Sequence, residues 1–203
     1  PPLTGDAECD VVVVGGGITG ALVARRLSLA GHRCVVLDKR DVGWGSTMAS
    51  TALLQYELDV PLRDLAEKIG VERAMDAYRR WQDAVGAVER LTSDLGNPCG
   101  FRRCRSLFLA REENEVPDLE RECSLRHRGG IDVRLISGAQ LLEWYGIERP
   151  GALLSGVAAV VEPYRLTHRL LADAQRRGAR VFDRTEVTFF EPLGANGWRV
   201  VTD

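Results

Sequence analysis

Three glycines, Gly15, Gly17 and Gly20, stand in the spacing G-x-G-x-x-G, and an aspartate, Asp38, follows 18 residues after the last of them. Glycines at this spacing do three different things where a strand meets a helix. The first permits a tight turn, the second lets a pyrophosphate approach the backbone, and the third lets helix and strand pack closely. A carboxylate at Asp38 is placed to accept hydrogen bonds from a ribose diol, and its charge selects against a cofactor that carries a 2′-phosphate. The chemistry so specified is capture of a dinucleotide, with FAD and NAD both open. The bland reading of the same glycines is a turn that needs small residues, and it is the surrounding context that argues against it.

For these residues to meet, the chain must run strand, turn, helix, strand. Val11 to Val14 is a continuous β-branched run, the pattern of a strand buried on both faces of a parallel sheet. A helix is expected from about Ile18 to Ala30, ended by Gly31, with Ala24 and Leu27 on its inward face. Its first-turn amides, those of Ile18 and Thr19 among them, and its positive dipole end face the turn where a pyrophosphate would sit. Cys34 to Leu37 reads as the second strand and delivers Asp38 and its neighbour Lys39 at the carboxyl end. Next comes DVGWGSTMAS, dense in glycine and small hydroxyl residues, a loop leaving that strand beside the bound pyrophosphate. Ser46 and Thr47 are suited to donate to a phosphate or, with no ligand, to cap a helix. A short helix is expected to begin between Met48 and Thr51.

The remaining chain alternates helical and strand-like patterns. Leu62, Leu65 and Ile69 make one apolar face before Gly70. Val71, Ala74, Tyr78, Trp81, Val85, Val88, Leu91 and Leu95 recur at spacings of three and four, and Gly96 and Pro98 end the helix. Tyr78 and Trp81 are expected as core anchors, a partner-binding stripe being the other reading. Strands are expected at 101–110, 131–136, 151–161, 179–182, 185–190 and 198–201, and helices at 117–128, 138–145 and 163–177. Ser137 to Gln140 spells the capping box S-x-x-Q, with Ile136 and Leu141 as its hydrophobic staple. Asn196-Gly197 is a hairpin signal.

Composition bounds the rest. The 203 residues, 45% hydrophobic and 28% charged, suit an ordinary globular protein of one or two domains. A net charge of −2 sets up no field for nucleic acid or anionic lipid, and Arg102, Arg103 and Arg105 read as strand-edge charges. No apolar run approaches the roughly 20 residues of a membrane-spanning helix. Pro1 to Asp10 is neither basic nor apolar enough for a signal peptide, so a cytoplasmic location is expected. Five cysteines make an odd count, and reduced thiols are expected. Cys99 and Cys104 have no matching pair downstream, and His32, His127 and His168 are scattered, so no metal site is expected. The closing strand pair and the opening without Met suggest an amino-terminal fragment, inactive by itself and prone to self-association.

Three stretches, DVVVVGGGITGALVARRLSLAGHRCVVLDKR, GWGSTMASTALL and VEPYRLTHRLLADAQRRGARVFDRTEV, together resemble the flavin-dependent oxidoreductases of the D-amino-acid oxidase and glycine oxidase superfamily. The resemblance implies an α/β fold in which a Rossmann-like FAD-binding domain, residues 1–60 and 161–203, is interrupted by an α+β substrate domain, residues 61–160. It implies that Gly15, Gly17 and Gly20, with Ile18 and Thr19, hold the pyrophosphate, and that Asp38, with Lys39 beside it, holds the adenosine ribose. Ser46 and Thr47 match the loop near the diphosphate, and Val187 matches the position whose backbone meets the adenine. Two departures stand out: Asp38 replaces the more usual glutamate, and Met48 stands where many relatives carry arginine. The implied activity is oxidation of a small-molecule amine or amino acid by hydride transfer to the flavin. A glycerol-3-phosphate dehydrogenase-like flavoenzyme, an NAD-dependent dehydrogenase and a non-catalytic binding module are the alternatives. No residue is assigned a catalytic role.

Overall fold

A valine run, a glycine turn and an alanine-faced helix open the chain. The first strand, β1 (Val11–Val14), enters the turn, α1 (Ile18–Leu29) leaves it, and β2 (Cys34–Leu37) returns parallel to β1, Val11 facing Cys34 and Val14 facing Leu37. Ala21, Ala24 and Ser28 form the buried face of α1, while Leu27 lies at its flank and is only half-buried. Small residues there let the helix lie close to its neighbours. This computed structural model describes residues 1–97, 99–194 and 197–203; Pro98 and Asn196, expected to end a helix and to open a hairpin, lie outside the described residues.

The chain divides into two units, one of Pro1–Ala52 with Glu162–Asp203 and the other of Leu53–Val161. The second unit runs β3 (Leu53–Gln55), α2 (Leu62–Ile69), α3 (Val71–Asp94), β4 (Arg102–Leu109), α4 (Val116–Arg128), β5 (Val133–Ser137), α5 (Gly138–Tyr145) and β6 (Gly151–Val160). Its organising strand is β6, ten residues long and antiparallel to β3, β4 and β5. Tyr56, Leu62, Ala74, Met75, Tyr78 and Ile131 form one buried cluster of the unit. Trp81, expected there as an anchor, is 50% exposed. It lies about 60° round the helix from Tyr78, at the fringe of the apolar stripe. The capping box forms: Ser137 Oγ accepts from Gln140 N at 3.3 Å and Ser137 N donates to Gln140 Oε1 at 3.0 Å. Its staple residues, Ile136 and Leu141, share a buried cluster with Ala152 and Leu154.

An ion pair sits inside this core. Arg126 on α4 is 1% exposed, donates from Nε to Glu122 at 2.8 Å and from NH1 to the Tyr56 hydroxyl at 2.9 Å, and faces the rings of Tyr56, Tyr78 and Phe108. Glu122 in turn accepts from the amides of Leu62 and Arg63 at 2.8 and 2.9 Å, capping the start of α2 from another helix.

The chain then returns to the first unit with α6 (Pro163–Arg176), β7 (Arg180–Phe182), β8 (Val187–Leu193) and β9 (Gly197–Thr202). Glu162 caps α6, accepting from Tyr164 N at 3.0 Å and Arg165 N at 2.9 Å. The parallel sheet has the order β1-β2-β7. This explains a departure from expectation: central β2 is buried throughout, but β1 lies at the edge, half-buried, with Val14 55% exposed. Helices α1 and α6 are tied by Asp173, which meets Arg25 at 2.9 Å and also Arg176 and Arg177. Strands β8 and β9 form an antiparallel pair whose successive residues Phe189 and Phe190 are both exposed. Among the described residues no helix is long and apolar enough to cross a membrane.

Candidate cofactor-binding site

Each glycine of the turn answers to a separate neighbour. Gly15 adopts φ +103°, the left-handed region, and its amide donates to Leu37 O at 2.8 Å, fastening the turn to the end of β2. A Cβ on Gly20 would lie 1.9 Å from the Gly15 carbonyl oxygen, so no side chain fits between helix and turn. A Cβ on Gly17 would lie 3.1 Å from Thr47 Oγ1. Among the described residues the amides of Gly17, Thr19 and Gly20 have no hydrogen-bond partner. They sit at the positive end of α1 and together form an anion cradle. The amide of Ile18 donates to Thr47 Oγ1 at 3.0 Å. Because that oxygen accepts, the Thr47 hydroxyl proton is left to be donated elsewhere.

The carboxylate of Asp38 braces the turn. Its Oδ2 accepts from Gly16 N at 2.7 Å and its Oδ1 from Arg40 N at 2.9 Å. A carboxylate has about four lone-pair sites, so each oxygen keeps capacity for a ribose hydroxyl. Sequence reasoning had no signal for the part played by Gly16, the unlabelled middle residue of the motif. Thr185 N donates to Asp38 O at 2.8 Å, and Lys39 pairs with Glu186 at 3.3 Å. These bonds bring the start of β8, and with it Val187, to the Asp38 end of the sheet. Ser46 is exposed, as is Met48. The short helix expected from Met48 does not form: residues 42–49 are a succession of turns, and 51–52 are irregular. Gly43, at φ +78°, directs its amide to Gly16 O at 3.1 Å, which folds the loop back onto the glycine turn. Thr47 therefore caps α1, not a helix of its own.

Other reactive groups do not converge. Burial pushes the Cys34 and Cys123 thiols up, so neither is a thiolate nucleophile at neutral pH. Among the described residues no three His, Cys, Asp or Glu side chains form a group able to hold a metal.

A parallel strand, turn, helix and strand with open amides at the helix start and a carboxylate on the second strand define a dinucleotide-binding fold. The chain belongs to the DAO family of FAD dependent oxidoreductases, which it matches over residues 10–203. Of the two cofactors that Asp38 leaves open, the family takes FAD. Mitochondrial dimethylglycine dehydrogenase of Mus musculus is 25% identical over 200 residues, covering 96% of this chain and 21% of that protein. Glycine oxidase from Geobacillus kaustophilus superposes with a TM-score of 0.78 at 23% identity, covering 96% of this chain and 51% of that one. The L-α-glycerophosphate oxidase of Mycoplasma pneumoniae, solved with FAD bound, has a TM-score of 0.77 at 18% identity, covering 98% and 50%. At such identities the likeness to the solved structures is one of fold. The chain spans about half the length of these solved proteins and about a fifth of the mouse protein.

Proposed function

We propose that Pro1–Ala52 with Glu162–Asp203 holds the adenosine and pyrophosphate end of FAD, that Leu53–Val161 belongs to a substrate domain, and that the protein oxidises an amine or amino acid. The observation that carries the reading is the cradle of amides at Gly17, Thr19 and Gly20, unpartnered among the described residues, beside the Asp38 carboxylate. In this reading those amides and the Thr47 hydroxyl bind pyrophosphate oxygens, with Gly15 shaping the turn, Ile18 holding Thr47, and Ser46 at the same loop. Asp38 accepts from the ribose diol, Lys39 keeps Glu186 beside it, and the Val187 backbone meets the adenine. FAD supplies hydride acceptance when bound; the chain's own task here is binding and orientation.

The amine substrate class is supported by the kinship with dimethylglycine dehydrogenase and the fold shared with glycine oxidase. The second reading, oxidation of glycerol 3-phosphate, is supported by the glycerophosphate oxidase fold. A cytoplasmic protein that self-associates is part of the same proposal, the latter supported by the exposed Phe189, Phe190 and Trp198. The full-length protein should purify with a flavin spectrum that bleaches anaerobically on adding glycine, sarcosine or dimethylglycine. Bleaching by glycerol 3-phosphate alone selects the second reading, and a flavin-free protein refutes both.

A further inference from the structure

Gly43 touches the glycine turn on one side and a pair of rings on the other. Its amide bonds Gly16 O at 3.1 Å, and its neighbour Val42 packs on the turn, where a Cβ on Gly16 would meet Val42 Cγ1 at 2.8 Å. On the far side, a Cβ on Gly43 would lie 3.1 Å from Cδ2 and Cε2 of Tyr164 and 3.8 Å from His168 Nε2. The two rings lie one helical turn apart on α6, with centroids 4.4 Å apart at 57°. The first turn of α6 is itself fixed by the Glu162 cap and by Thr167 Oγ1 donating to Pro163 O at 2.8 Å.

The Nε2 atom of His168 is buried with no hydrogen-bond partner among the described residues. A buried nitrogen without a partner is a cost, so a hydrogen bond from Nε2 is not what the imidazole contributes here. What it contributes is a flat ring that backs Tyr164 against Gly43. With no side chain at Gly43, the rings meet loop backbone directly, and that same backbone bonds Gly16.

We propose that Tyr164 and His168 are positioning residues for FAD: from α6 they press residues 42–43 onto the glycine turn and so set the cradle that receives the pyrophosphate. The inference rests on the FAD reading above, and the two fail separately. Absence of flavin from the wild-type full-length protein defeats the cofactor reading, whereas flavin held equally by wild type and variants defeats the positioning role alone. Tyr164→Ala and His168→Ala should each raise the Kd for FAD about tenfold through lost preorganisation, while the thermal midpoint of the apoprotein changes little. His168→Phe keeps the ring and discards the unpartnered nitrogen, so it should bind FAD as tightly as wild type or more tightly. A loss in His168→Phe equal to that in His168→Ala would assign the effect to the nitrogen and overturn the proposal. A double-mutant cycle gives an independent reading. Gly43→Ala alone should weaken FAD binding, and in the Tyr164→Ala background it should cost less, because its methyl enters space the phenol has left. Strict additivity of the two substitutions would show that ring and loop do not act on each other.

Discussion

Thr47 acts on a helix that begins 29 residues earlier in the chain. Gly17 has no side chain with which to cap α1, and the Thr47 hydroxyl oxygen accepts from Ile18 N in its stead. Thr47→Val keeps the shape and removes the acceptor. It should cost about 1 kcal/mol of stability, the usual worth of a cap, and should weaken FAD binding. Thr47→Ser should restore both, as thermal melts of the apoprotein and FAD titration would read. A valine at Gly17 is a less clean probe, since its Cβ would crowd Thr47 Oγ1 and so disturb the cap itself. Arg126 is the second residue with more to lose than its sequence suggests. Removing the guanidinium leaves Glu122, itself 1% exposed, without its ionic partner. Arg126→Met should therefore cost about 3–5 kcal/mol in denaturant melts, whereas the same change at exposed Arg105 should stay within about 0.5 kcal/mol. The glycine turn and Asp38 were legible because their spacing is local. Thr47's bond and Gly16's brace join distant residues and leave no periodic trace. For Arg126 a signal existed: Leu119, Glu122, Cys123 and Arg126 share one face of α4, apolar and charged residues alternating along it.

At the scale of elements, the helices stopped by Gly31 and Gly70 were readable end to end, since periodicity and terminator agree. Strand β3 was not, being three residues whose only strand partner among the described residues is the distant β6. The burial of β1 was misjudged for a related reason: a valine run reports strand character, whereas its neighbours decide whether it is central or at an edge. Between α1 and α6 the tie is electrostatic. Burial alone would push the Asp173 carboxyl up, but hydrogen bonds from Arg177, Arg25 and Arg176 outweigh it and hold the group below its ordinary value of 3.8. A carboxyl lowered in the folded state contributes stability that is present above its unfolded pKa and is lost as pH falls through the folded one. Asp173→Asn should thus be less stable than wild type at pH 7, by about 1–3 kcal/mol. The gap should close as the pH is lowered beneath 3.8. Melts across that range check the sign, and a gap that widens in acid would contradict it.

For the whole molecule, the apolar residues left at the surface of the nucleotide-binding unit matter most. Val14, Val23, Phe189, Phe190 and Trp198 are all exposed there, and a two-stranded hairpin apolar on both faces is not stable alone in water. With these residues uncovered, residues 1–203 should self-associate in solution and bind FAD only weakly. Light scattering with FAD titration tests this, and a monomer that binds FAD tightly would show a self-sufficient unit. The other unit holds a dependency of a different kind, in the order of its assembly. Helix α2 has eight residues, too few to persist alone in water, where about 12–15 are already marginal, and its opening amides rest on Glu122, some 60 residues later. It has no nucleus of its own and must await α4. Amide exchange at Leu62 and Arg63 should accordingly report the opening of α4, and Glu122→Gln, which removes their acceptor charge as well as the partner of Arg126, should accelerate both more than it accelerates the amides of β6.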